Sequence, residues 1–176
     1  GGNLRLLLHL MENSGKGRIN SFQIAQKAFE TIGFAKIATS ADEAKYIGYL
    51  LKTDTIVMNN DQRIWTAKQK ALELAEGYEP PQYRDDLKLP GTGGRTAMTM
   101  ALKGFKAQGK ISDHDEFIAK KLAYVITGGD KAGLTKSVEE QYLLDIEREA
   151  FVSLAGEKLT QDRIGFMLKR GKPLRN

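Results

Sequence analysis

The chain has 176 residues, 41% of them hydrophobic and 28% charged, which is enough for one domain with a sizeable core and typical of a globular protein. It contains no cysteine and only two histidines, His9 and His114, so disulfides, thiolate metal sites and a histidine-rich metal centre are excluded. Net charge is +5 with a pI near 9.3, and the basic residues gather modestly at Lys158, Arg163, Lys169, Arg170, Lys172 and Arg175. That balance suits a phosphorylated ligand, a nucleic acid or a membrane surface, or simply a solvated exterior.

No apolar run approaches bilayer length; the longest, Leu6 to Leu8 with Leu10 and Met11, is interrupted by His9. The start has neither the basic segment nor the small-residue cleavage site of a signal peptide. Gly1 in place of Met reads as a processed or partial chain.

Taken in order, Leu4 to Glu12 predicts a helix that is apolar on nearly every face and must be covered on several sides. Asn13-Ser14-Gly15-Lys16-Gly17 ends it. Asn20-Ser21 caps a second helix with Phe22, Ala25, Ala28 and Phe29 at helical spacing, stopped by Gly33. Ser40-Ala41-Asp42-Glu43 is a capping box for a short helix ending near Gly48. Thr55 to Met58 reads as one isolated strand or an extended connector. Asn59-Asn60-Asp61 caps a long helix to about Ala75 that carries Ile64, Trp65, Ala71, Leu72 and Leu74.

Gly77 to Gly94 holds Pro80, Pro81, Pro90, Gly91, Gly93 and Gly94, and is expected to be a linker or extended crossover between helical segments 1–76 and 95–176. Beyond it, helices are expected near 95–108, 113–127, 137–155 and 160–170. Ser112 and Ser137 would cap the second and third, and Thr160-Gln161-Asp162 the last. Val138, Tyr142, Ile146, Ala150 and Leu154 make one stripe, flanked by Leu143 and Phe151. The fold class is mostly α.

Local motifs for chemistry are weak. Gly104 to Lys110 matches the first seven positions of a phosphate-binding loop, but Ile111 stands where a magnesium-binding hydroxyl is needed, and a helix end explains it better. Gly91 to Gly94 reads as a turn, and Gly128-Gly129 as a helix C-cap. Asp113-His114-Asp115-Glu116 are consecutive on a helix and cannot converge on one ion; acidic residues there suit the helix dipole. Glu139, Glu140, Glu147 and Glu149 read as a solvated face. No Ser–His–Asp grouping can be built, and residues 20–50 lack the basic cluster of a DNA-reading helix. No catalytic or metal-binding residue is expected.

Four stretches in fixed order carry a resemblance. Gly1-Gly2-Asn3-Leu4-Arg5-Leu6-Leu7 is similar to the "G-G-x-x-R-L" stretch of crotonases (the enoyl-CoA hydratase/isomerase family), and Ala38 to Leu50 resembles that family's "I-S-A-x-E-A-x-x-x-G-L" helix. Val57 takes the place of the connector that follows. Residues 160–176 resemble its short terminal helix, "D-x-x-E-G-x-x-A-F-x-E-K-R-K-P". Phe29 to Ser40, the Leu89 to Gly94 insertion and Gly171 to Asn176 look more particularly like the C-terminal part of long bacterial 3-hydroxyacyl-CoA dehydrogenases of fatty-acid β-oxidation. Gly171, between Arg170 and Lys172, departs from simple crotonases.

The resemblance implies the helical C-terminal segment of a crotonase-like fold without its β-spiral core. The family's catalytic carboxylates and oxyanion donors precede its "G-G-x-x-R-L" stretch, so this chain alone is expected to be inactive, with NAD and acyl-CoA handled by the whole parent enzyme. By position, Phe166, Lys169 and Lys172 would flank the coenzyme A nucleotide, cations suiting its phosphates. The implied partners are the upstream part of the parent chain, acyl-CoA and further copies in a homo-oligomer. Nucleic acid is not expected, and the implied location is cytoplasmic. A free-standing α-helical interaction module is the alternative.

Overall fold

In the computed structural model, which describes residues 1–15 and 20–176, the chain is mostly helical. In order come α1 (Gly2–Asn13), α2 (Ser21–Gly33), α3 (Ala41–Ile47), a 3-10 turn at Asn60–Gln62, α4 (Arg63–Ala75), β1 (Leu87–Lys88), α5 (Gly91–Ala107), α6 (Asp113–Ile126), β2 (Ser137–Val138), α7 (Glu140–Ala155) and α8 (Lys158–Arg170).

α1 buries Leu4, Leu6, Leu7 and Leu10, each worth about 1.5–3 kcal/mol of apolar transfer. Its cover comes from α2, α6 and α7, which meets the requirement set by a helix apolar all round. Gly15, with φ 75°, follows its end as expected; Lys16 and Gly17 of the same run lie outside the described residues. Asn20 caps α2 by accepting from the Phe22 N–H at 2.9 Å. α2 ends one residue later than expected: the left-handed residue is Ala35 (φ 48°), not Gly33. Lys36 N–H closes back on Thr31 O at 2.9 Å there, a terminal hydrogen-bonded turn that holds Ala35 in place.

Ser40 caps α3, its Oγ accepting from Glu43 N–H at 3.1 Å. The return arm of the box reaches Thr39 instead of Ser40, with Glu43 Oε2 accepting from the Thr39 N–H and hydroxyl at 2.6 Å each. Thr55 to Val57 carries no regular structure and is a connector. α4 forms where expected, but buries none of its residues.

The stretch expected as a linker is only partly irregular. Leu87 pairs with Val138 and Lys88 with Ser137 in a two-residue antiparallel ladder, and Leu87 and Leu89 are each 1% exposed. α5 then starts at Gly91, four residues before the expected boundary. Two buried leucines, one in the strand and one just after it, outweigh the prolines and glycines around them, because apolar burial dominates local propensity. Ser137, expected as a helix cap, is instead a strand residue, and Glu139 precedes α7. Similarly, α8 begins at Lys158 with Glu157 before it, so Thr160 lies inside the helix.

One hydrophobic cluster joins Leu7 of α1, Ala25 and Ala28 of α2, Leu87 and Leu89, Met98 of α5, Ala123 and Ile126 of α6, and Leu143 and Ile146 of α7. Ala25, Ala28 and Ala123 are fully covered; small residues at these positions let α2 and α6 approach closely. α6 touches α1, α2, α5 and α7, and is the hub of the packing.

Candidate functional site

α8 carries two of the three expected ligand-binding residues, with Lys172 just beyond its end, and a polar network fixes it to the start of α6. Ser112 and Asp115 form a complete capping box at that start. Arg163 of α8 bridges it: its guanidinium donates to Asp115 Oδ1 at 2.7 Å, to Asn176 Oδ1 at 2.6 Å and to the Asn176 carbonyl at 3.0 Å. Ser112 Oγ donates to the same Asn176 carbonyl at 2.8 Å. One turn away, His114 Nε2 and Thr160 Oγ1 are 2.9 Å apart. Burial alone would raise the Asp115 carboxyl, but the Ser112 N–H and the Arg163 guanidinium outweigh it and hold the group below its ordinary range.

On this support Phe166 is half-buried and Lys169 is exposed in the last turn of α8. The two are three residues apart, so they share one face. Lys172 lies beyond Gly171, whose left-handed conformation (φ 63°) ends the helix. Among the described residues neither lysine has an ion-pair partner on the chain. Cations at a helix C-terminus are favoured by the helix dipole and remain available to an anion.

The anchor residues Ser112, Asp115, Thr160, Arg163 and Asn176 were not identified from the sequence as a unit. The available signal was Thr160 and Arg163, three residues apart on α8; they meet His114 and Asp115 in the first turn of α6. The acidic run at the start of α6 disperses as expected. Asp113 and Glu116 pair with Lys106, Glu116 also with Lys120, while Asp115 turns to Arg163. Hydrogen bonds from Lys106 and Lys120 bring the Glu116 carboxyl down to about 2.

Glu147 is a correction. The solvated face expected from its position in the sequence does not form there, since its side chain is only 17% exposed. It lines a cavity of about 420 Å³ with Ile118, Leu122, Leu144 and Phe151. Its Oε1 accepts from Asn3 N–H at 3.3 Å, while Oε2 is buried without a hydrogen-bond partner among the described residues. Because α1 is apolar and docks against α7, this position on α7 faces the start of α1 instead of water.

The glycine-rich turn at Gly91 presents no nucleotide cradle. Its N–H donates to Thr127 O at 2.9 Å. A Cβ on Gly91 would lie 2.2 Å from Ala132 O, so the backbone there is already in contact with protein. Gly128 and Gly129 follow α6 in left-handed conformations, as expected of a C-cap. Gly104 lies within α5 and Gly109 just past its end, so the phosphate-loop match is a helix terminus. No helix among the described residues is long and apolar enough to cross a membrane, and no metal-ligating group of three or more forms among them.

No family model matches the chain, and no solved structure does. Over 177 residues it is 45% identical to a probable 3-hydroxyacyl-CoA dehydrogenase of Bacillus subtilis (strain 168), an alignment that takes in 100% of this chain and 22% of that protein. From end to end, then, the chain is similar to about a fifth of a bacterial protein described as a 3-hydroxyacyl-CoA dehydrogenase.

Proposed function

We propose that this chain is the helical C-terminal part of the enoyl-CoA hydratase/isomerase-like region of a long, cytoplasmic 3-hydroxyacyl-CoA dehydrogenase acting in fatty-acid β-oxidation. The observation that carries the reading is the 45% identity across the whole chain to a much longer protein of that description. The crotonase-like stretches at Gly1 to Leu7, Ala38 to Leu50 and 160–176 support the finer assignment to the hydratase-like region.

The chain supplies support and one edge of a ligand site, and the chemistry belongs to the rest of the polypeptide. Its glycine-rich turn is filled by protein, so NAD binds upstream in this reading, and no step is routed through this chain. Phe166 offers a half-buried apolar surface for a nucleotide base, with Lys169 and Lys172 beside it for phosphates. Arg163 and Asn176 hold that edge in place.

Lys169→Ala in the full-length enzyme is expected to raise KM for a CoA ester several-fold with little change in kcat, since a lost phosphate contact weakens ground state and transition state alike. An unchanged KM removes Lys169 from the site. The 176-residue chain alone is expected not to hydrate crotonyl-CoA, and turnover by it would refute the division of labour.

A further inference from the structure

The apolar side of α4 has no partner among the described residues of this chain. Ile64, Trp65, Ala71, Leu72 and Leu74 occupy one half of the helix circumference, and Ile64 is 78%, Trp65 60%, Leu72 56% and Leu74 60% exposed. The opposite side carries Thr66, the least exposed residue of α4. The helix is therefore turned with its apolar half outward, against the ordinary arrangement of a surface helix.

We infer that this face is a docking surface for the upstream part of the same polypeptide, an apolar surface with a carboxylate placed opposite Lys68. The inference rests on the reading that the chain is one part of a longer enzyme. The relative it matches has more than three quarters of its length outside the alignment, which gives such a segment ample length.

Two observations favour that occupant over a second copy. Lys68 lies inside the apolar half and close to the middle of α4. A two-fold antiparallel pairing of α4 with its own copy would bring Lys68 against Lys68, a like-charge contact at the centre of the interface. The exposed apolar area on the four large side chains is on the order of 500 Å², taking about 200 Å² for each whole residue. That is below the roughly 800 Å² per partner of a stable free complex. A covalently tethered partner needs less area, because its effective concentration is already high.

The test is hydrogen–deuterium exchange on the full-length polypeptide, read on the peptide covering residues 63–75 across a fifty-fold dilution series. Docking within the polypeptide predicts exchange at least a hundred-fold slower than in an unsupported helix, independent of concentration. The paired change Trp65→Asp with Leu72→Asp would abolish this protection. Exchange as fast as a free helix overturns the inference. Protection that falls on dilution also overturns it and assigns the face to a second copy. Should the paired variant fail to fold, the dilution series on the unaltered polypeptide still decides. Intact mass of the native polypeptide tests the parent reading separately, and neither readout depends on dehydrogenase activity.

Discussion

Gly91 and Gly93 are two residues apart in the same helix, and replacing each by alanine is expected to move stability in opposite directions. Gly91 has φ 60°, and a Cβ there would meet Ala132 O at 2.2 Å, Ala132 C at 2.8 Å and Gly133 Cα at 3.0 Å. All three are backbone atoms, so no rotamer change relieves the contact and the chain must separate by about 1 Å, an overpacking cost of about 1–3 kcal/mol. The left-handed conformation adds about 1–2 kcal/mol. Against this, alanine restricts the unfolded chain and returns only about 0.4–1 kcal/mol. Gly91→Ala should therefore cost about 2–4 kcal/mol, a fall in Tm of roughly 4–16 °C for a chain of this size. Gly93 is exposed, helical and has nothing within 4 Å of a built Cβ, so Gly93→Ala should gain about 0.5 kcal/mol. Thermal and urea unfolding of the pair, followed by circular dichroism, measures both. Equal effects from the two variants would refute the contact with Ala132 as the reason for glycine at position 91.

Arg163→Ala removes a charged hydrogen-bonding fork from Asp115 and Asn176, and should cost about 2–3 kcal/mol by urea unfolding. It should also speed amide exchange in 171–176, and a loss under 0.5 kcal/mol would show that α8 is held by apolar packing alone. Asp115 and Glu116 both titrate lower in the folded chain than in the unfolded one, so the folded state binds fewer protons in acid. Their stabilisation is complete above about pH 4.5 and is lost as pH falls towards Glu116's value of about 2. Urea midpoints measured over that window should drop with pH, and Glu116→Gln should flatten the slope.

The helices were legible because their signals are local. Asn20, Ser40 and Ser112 cap where their side chains predict, and the leucines of α1 announce burial from several sides. What the chain order conceals is pairing at a distance. Leu87 and Val138 are a strand pair only because the fold brings together segments fifty residues apart, and neither two-residue stretch has a period to detect. Ser137 illustrates the cost: its cap-like sequence, with Glu140 three residues on, is overridden by that pairing. For the site, Lys169 and Phe166 could be placed on one helix face from spacing alone. Their support could not, because Arg163 reaches Asp115 across 48 residues and Asn176 across 13. Glu147 misled for the same reason, its surroundings being set by the start of α1.

Ribosomal synthesis gives the packing of α1 a temporal meaning. Its leucines emerge about a hundred residues ahead of α6 and further still ahead of α7, the helices that cover them. At roughly 5–20 residues per second, that interval lasts on the order of 5–20 s. Until it ends, α2 and the Gly48–Leu50 segment are the parts of this chain that can shield α1, and the leucines that face α6 and α7 form a nascent surface of the kind that chaperones hold. A ribosome stalled before Ile126 would carry a chain with this surface unsatisfied, and release of that chain would lead to aggregation before refolding.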